Sequence, residues 1–218
     1  MLKELLLRGQ TESQPKLQAA WKAAQGPERF WIAVGLAWWR DASGLDEILS
    51  AIEERRALDE TFTPMCKDIR PLWESCLMLV QRLGSDAKYA YPTVREVLLD
   101  EATELDARIA AVKTLAAIGT EDSLELLRRV PSIQGRSFTR FFRINGAEGR
   151  WPPSEDGRWQ LDLAAAHALI ESGENAEELL APYQEDPRPY VRRYVQRLRN
   201  CLQPGPAGSA VESILEAL

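Results

Sequence analysis

The residue types that most often catalyse reactions or bind metals are sparse in this chain, and their spacing suits neither task. The single histidine, His167, lies in an alanine-rich segment, and Cys66 and Cys76 lack the short ligand spacings of a zinc site. Nothing around these residues resembles an activated nucleophile, and no glycine-rich phosphate loop occurs. We therefore predict no catalytic residue, no metal site and no cofactor. His167 is expected to be solvated or paired with another side chain.

Recognition by arginine and aromatic side chains is the chemistry that the segment 128–158 favours. It holds seven arginines against three acids, a net charge of +4, and its Asn145-Gly146 pair is typical of a tight β-hairpin turn. Arginine and aromatic residues often dominate interface energetics. We predict a docking surface here, and the alternative is a lid whose aromatic rings pack on neighbouring helices. The predicted partner-binding residues of this segment are Phe138, Arg140, Phe142, Arg143, Arg150 and Trp151.

A second basic stretch, free of acids, lies between Pro187 and Asn200. At about 100° per residue, its apolar residues fall on one helical face and its arginines on the opposite one. The apolar face comprises Val191, Tyr194, Val195, Leu198 and Leu202. Arg193, Arg197 and Arg199 are the predicted exposed contacts for a partner.

The elements that would position these residues are helical almost throughout. Apolar residues recur at steps of three and four from Ile69 to Leu83, with Pro71 near the start and Gly84 after the end. Leu45 to Ile52 repeat the pattern after Ser43, a candidate N-cap. The chain is predicted to be all-α.

The helices also repeat in pairs. The segment Ile109–Gly119 aligns without a gap on Leu163–Gly173, which places Lys113 opposite His167. First helices are predicted to start near residues 105, 161 and 189, and a non-helical insertion over 131–158 accounts for the longer first interval. Stacked pairs of this kind would share one continuous core.

The segment from Asp186 to Arg193, with Asp-Pro before the helix and Val191-Arg192 inside it, resembles the signature of HEAT repeats, and Arg108 to Gly119 is similar. The unit of about 28 residues resembles the short, bilin-lyase-like variety more than the long units of 40–47 residues. The resemblance implies an α-solenoid of antiparallel helix pairs, in which Arg192 pairs with an acid of a neighbouring repeat. We expect one HEAT-like domain over 1–203 with the insertion 131–158, then a linker and a C-terminal capping helix over 204–218.

Composition narrows the functional classes. The net charge of −6 disfavours a dedicated nucleic-acid binder, although residues 128–218 are balanced at 12 basic against 12 acidic residues. Three scattered cysteines indicate buried thiols in a reducing compartment, and the longest apolar run, Phe30 to Trp39, is too short to span a bilayer. A cytoplasmic location is predicted.

These features favour a non-catalytic interaction or scaffold module that binds another protein, with an acidic surface suiting its arginines. Its concave face, the basic helix 189–201 and the insertion 131–158 would form the contact surface. One alternative is a DNA-binding or repair protein similar to the HEAT-like alkylpurine glycosylases. The other, implied only by the resemblance, is a bilin-lyase-like protein that handles a linear tetrapyrrole.

Overall fold

A computed structural model describes residues 10–57, 71–136, 142–144, 147–149 and 157–202 of the 218-residue chain. Helices dominate these residues, which confirms the predicted all-α class. The α-helices are α1 (Gln10–Ala23), α2 (Pro27–Trp38), α3 (Leu45–Glu53), α4 (Leu72–Leu83), α5 (Tyr91–Leu99), α6 (Leu105–Ile118), α7 (Glu121–Arg128), α8 (Arg158–Glu171), α9 (Ala176–Gln184) and α10 (Pro189–Leu202). Short 3-10 turns lie at Ala42–Gly44, Gly84–Ala90 and Val130–Ser132.

The helix pair predicted from residue 105 to 130 is formed by α6 and α7. Gly119 ends α6 with a φ of 64°, a left-handed conformation that is least strained without a Cβ, and its N–H donates to the Leu115 carbonyl at 3.0 Å. Thr120 then caps α7, because its hydroxyl oxygen accepts the Ser123 N–H at 3.3 Å. Gly119 and Thr120 therefore separate the two helices of the pair. The next first helix, α8, begins at Arg158 rather than near 161.

The start of α3 differs from its prediction. Ser43 is not the N-cap of α3; it lies inside the preceding 3-10 turn, where its N–H donates to the Asp41 carboxylate at 2.9 Å. Gly44 precedes α3 directly and packs against α2, since a Cβ at Gly44 would lie 2.6 Å from the Cβ of Ala33. This close approach requires a glycine at position 44, so the residue directly before α3 has no side chain with which to cap the helix.

Helices that follow one another in the predicted series of helix pairs are neighbours in space. The first helices α2, α4, α6, α8 and α10 contact one another in that order, and each second helix, α3, α5, α7 or α9, packs against the first helix that follows it. The segments 105–130 and 161–183 are thus adjacent, because α8 packs on both α6 and α7. The five first helices therefore form a row of neighbours in chain order.

The buried side chains form one main core and two smaller clusters. The main core runs from Phe30 on α2 to Leu169 on α8 and includes fully buried Leu77, Leu115 and Leu127. A separate cluster secures the C-terminal helices, and it consists of Leu163, Ala166, Leu180, Val191, Val195 and Leu198. A third, at the other end, joins Leu17 to Ile32 and Leu36. Burial is therefore continuous through the middle of the chain and thinner at both ends.

Two arginines hold the ends of the predicted insertion. The guanidinium of Arg108, wholly buried, donates from Nε to the Leu98 carbonyl at 3.0 Å and from Nη2 to the Gln134 carbonyl at 2.6 Å. At the other end, Arg158 donates to the Val130 carbonyl at 3.0 Å. Burial lowers the pKa of Arg108, since removing a cation from water disfavours its charged form.

Between these ends lie the strands β1 (Phe142–Ile144) and β2 (Ala147–Gly149), which pair antiparallel. The register pairs Phe142 with Gly149 and Ile144 with Ala147. The predicted Asn145-Gly146 turn falls between the two strands and lies outside the described residues.

Cys76 is a buried thiol, as predicted for the cysteines. It is 1% exposed on α4, and burial raises its pKa to about 12. The thiolate is therefore strongly disfavoured at neutral pH, and Cys76 contributes apolar packing. Cys66 and the side chain of Cys201 lie outside the described residues.

Candidate functional site

A groove of about 780 Å³ crosses the face formed by the first helices α4, α6, α8 and α10. We call it the first-helix groove. Its residues come from four separate stretches of the chain, which the stacking of neighbouring first helices brings together. The lining residues are Gln81, Ile109, Lys113, Ala116, Ala117, Trp159, Gln160, Ala164, His167, Ala168, Glu171, Ser172 and Tyr194.

The middle of the groove is lined by alanines. Ala116 and Ala117 come from α6, and Ala164 and Ala168 come from α8, the two helices that pack closely side by side. Small residues at a helix crossing let the backbones approach. The same short side chains leave open space above the crossing. The groove is thus a direct consequence of the packing that holds α6 against α8.

Aromatic rings form the wall towards α10. The Trp159 ring on α8 lies 5.8 Å from the ring of Tyr190 and 5.9 Å, edge to face, from that of Tyr194, measured between centroids. Each such contact contributes about 0.5–1.5 kcal/mol beyond the area it buries. Tyr190 and Tyr194 are nevertheless 38% and 40% exposed. Tyr194 was placed on the buried face of its helix by the sequence pattern, and it lies partly in solvent instead.

Polar side chains from opposite helices complete the lining. His167 Nε2 lies 3.6 Å from Glu171 Oε1 one turn along α8, and Ser172 donates to the Ala168 carbonyl at 3.0 Å. The exposed ammonium of Lys113 on α6 has no ion-pair partner among the residues that the structure describes. The pairing expected for His167 is thus found, and the same side chain also lines the groove.

The three arginines predicted on α10 do not share one environment. Arg193 and Arg197 are exposed and have no hydrogen-bond or ion-pair partner within residues 10–57, 71–136 and 157–202. Arg199 was expected to be exposed, but it is half-buried and pairs with Glu177 of α9. The reason is that α9 and α10 pack together, so an acid on α9 reaches the arginine side of α10.

Tyr194 is the residue of α10 in the groove lining, and Arg193 and Arg197 lie beside it on the helix surface. Arg193 and Tyr194 lie three and four residues after Tyr190, and Arg197 lies four and three residues after them, so the four side chains form one stripe along the helix. Tyr194 lines the groove, and this stripe therefore extends the aromatic wall with two cations. Arg192, on another side, donates to the Asp186 carbonyl rather than to an acid of a neighbouring repeat.

The remaining predicted contact residues cannot be placed against the groove. Phe138, Arg140, Arg150 and Trp151 lie outside the described residues. Phe142 and Arg143 belong to β1, whose backbone alone is described. Sequence reasoning did not select Lys113, Trp159 or Tyr194 as contacts. Only the alignment of Lys113 with His167 hinted that equivalent positions of successive first helices would share one surface.

Comparison with protein-family models, with curated proteins and with solved structures finds no match to this chain.

Two further properties concern the described residues alone. No helix among them is both long enough and apolar enough to cross a bilayer. Within the same residues, no three histidine, cysteine or carboxylate side chains come together as metal ligands could.

Proposed function

We propose that this chain is a non-catalytic protein-interaction module, built as a HEAT-like stack of helix pairs, that binds its partner in the first-helix groove. The observation that carries the proposal is the cluster of half-buried Trp159 with exposed Tyr190 and Tyr194 beside an open, alanine-lined crossing. Exposed aromatic residues next to arginines are the side chains that most often anchor protein interfaces.

The arrangement suits binding better than catalysis. Of the groove residues with reactive side chains, His167 lies 3.6 Å from Glu171, and the Ser172 hydroxyl donates to its own helix backbone. The rest of the surface is mostly apolar and aromatic, and the cations at its edges have no ion-pair partner within the described residues, which suits a recognition site. In this proposal the groove is the concave face of the stack.

The neighbour order of the first helices supports the HEAT-like description. In a repeat stack each unit contacts the units next to it in sequence, and α2, α4, α6, α8 and α10 follow this order. The residues of the resemblance also have matching positions, because Arg108 and Arg192 both lie in the first turns of first helices and both donate to backbone carbonyls.

Affinity capture with the tagged full-length chain tests the proposal. The double variant Lys113→Glu with Tyr194→Ser changes two exposed or partly exposed groove side chains and should lose the partner while keeping its helical circular dichroism. Tyr89→Ser with Arg129→Glu is the matched control, since it changes one exposed tyrosine and one exposed cation away from the groove. Capture of the same proteins at the same yield by the folded groove variant and by the control would overturn the proposal.

A further inference from the structure

We infer that the partner of the first-helix groove is an acidic peptide segment in extended conformation that carries an apolar anchor residue; this inference rests on the proposed function. Unpaired charge, groove length and the chemistry of the lining each contribute to it.

Three cationic side chains in or beside the groove have no ion-pair partner among the described residues. Arg188, just before α10, pairs with Asp186 at 2.7 Å, and Arg199 pairs with Glu177. Arg193 and Arg197, in the stripe beside Tyr194, have no partner among the described residues. The chain carries 33 acidic and 27 basic side chains, yet within residues 10–57, 71–136 and 157–202 no acid pairs with either of these two arginines. Lys113 adds a third cation on the opposite side of the groove.

Among the described lining residues, Glu171 is the one acid, and its carboxylate sets a single negative charge against Lys113. The excess of positive charge therefore comes from Arg193 and Arg197, which lie beside the lining residue Tyr194 on α10. A partner with carboxylates at both ends of its bound segment would meet Lys113 at one end and the arginine stripe at the other. Charge complementarity of this kind selects partners and speeds their association.

The distance between the cations fits an extended chain. The groove runs from α6 across α8 to α10, and neighbouring helix axes lie roughly 8–10 Å apart, so it spans about 20 Å. An extended peptide rises about 3.3 Å per residue, which places roughly six residues across the groove.

The lining matches the parts of such a chain. Gln81 and Gln160 line the groove, and a carboxamide carries both donors and acceptors, which suits a peptide backbone that needs both. The alanine crossing and the Trp159 ring provide the apolar surface for one anchor side chain. Single-stranded nucleic acid would also stack on aromatic rings, but its backbone requires many cations, and the chain as a whole carries −6.

Fluorescence anisotropy with the full-length chain tests this inference. The probe is a fluorescein-labelled decapeptide of alternating glutamate and alanine with one central leucine. Two comparison peptides replace every glutamate by glutamine or by lysine, and a labelled oligothymidine of twelve nucleotides represents nucleic acid. We expect the acidic peptide to bind at least about tenfold more tightly than either comparison peptide, and to weaken as salt rises, because exposed charges are screened.

The double variant Arg193→Glu with Arg197→Glu should weaken binding of the acidic probe by at least about tenfold, whereas Arg95→Glu with Arg129→Glu, exposed cations elsewhere, should not. Equal binding of the acidic and neutral peptides would overturn the inference. So would tighter binding of oligothymidine that disappears in the Arg193/Arg197 variant, which would identify a nucleic-acid surface.

Failure of the inference and failure of the proposed function are distinguishable. If the groove variant of the capture experiment loses its partner but the acidic peptide shows no preference, only the assigned partner chemistry is wrong. If that variant keeps every partner, the groove is not the binding site, and both proposals fall.

Discussion

Lys113 on α6 and His167 on α8 hold equivalent positions of consecutive first helices, and both side chains line the same groove. The equivalence follows from the gapless alignment of their helices, and the shared groove follows from the packing of α6 on α8. Two positions that align in sequence therefore meet at one surface, and both side chains contribute to its polarity.

Glu171 should oppose the binding of an acidic segment. Replacing it by glutamine removes the acid of the groove lining while keeping its size, so we expect Glu171→Gln to tighten binding of the acidic decapeptide by roughly two- to fivefold, the effect of one exposed charge interaction. Anisotropy titration measures the change. Glu185→Gln, an exposed acid beyond the end of α9, is the control and should bind like the unmodified chain. Weaker binding by Glu171→Gln would contradict the charge argument.

Substitutions of Arg199 and Arg197 should differ in their effect on the free energy of unfolding, although both are arginines of α10. Arg199 is half-buried against Glu177, and Arg197 is exposed and unpaired in the described part of the chain. We expect Arg199→Gln to lower the free energy of unfolding by up to about 1 kcal/mol and Arg197→Gln to change it by less than about 0.5 kcal/mol. Urea unfolding followed by circular dichroism checks both values. Equal effects would mean that the ion pair does not secure α10.

Gly135 must remain a glycine because the Arg108 guanidinium occupies the space beside it. A Cβ there would lie 2.0 Å from Arg108 Nη1, and the φ of Gly135 is +140°. Gly135→Ala should cost about 2–4 kcal/mol of folding stability, from overpacking together with backbone strain.

The double-mutant cycle with Arg108→Met tests the cause of that cost. Because the clash is with the guanidinium, Gly135→Ala should be at least about 1 kcal/mol less costly in the Arg108→Met background than in the unmodified chain. Additive effects of the two substitutions would show that the cost comes from the backbone conformation alone.

Asp186 should make the stability of α10 depend on pH. Hydrogen bonds from the Arg188 side chain, at 2.7 and 2.8 Å, hold the pKa of this carboxyl below its ordinary value of 3.8. A lowered pKa means that the folded state favours the carboxylate. The contribution to stability is thus complete above about pH 4 and is lost as pH falls through the lower, folded value.

Asp186→Asn removes this titration. It should cost about 1 kcal/mol at pH 7, and its difference from the unmodified chain should shrink as pH falls below 3.8. Thermal unfolding over a series of pH values measures the difference. A gap that stays constant between pH 7 and the acid range would show that the charge of Asp186 does not contribute.

Helix boundaries were predictable wherever the signal is local. Gly84 and Gly119 follow helices with φ values of 61° and 64°, and Thr120 caps its helix through its own hydroxyl. These residues act on the nearest turn of backbone, so a single sequence contains the whole cause. Ser43 failed as a cap because the competing constraint, the contact of Gly44 with Ala33, comes from another helix.

The set of side chains that line the first-helix groove could not be predicted from such local signals. Periodicity placed Trp159, Tyr194 and Lys113 on helices but could not say which neighbour each side chain would meet. The ring contact of Trp159 with Tyr194 and the pairing of Arg199 with Glu177 both depend on how far one helix is shifted along the next. That shift is set by packing across the whole interface, and no short segment encodes it.

The separation of the C-terminal cluster from the main core gives the two sides of the groove unequal rigidity. Lys113 stands on a helix embedded in the main core, whereas Tyr194 stands on one that six buried residues secure. Amide hydrogens of α10 should consequently exchange with deuterium faster than those of α6, and an occupant should slow exchange in α10 far more than in α6. Binding would then include a conformational change: α10 adjusts its position to the bound partner, whereas α6 stays fixed and determines where the partner lies along the groove.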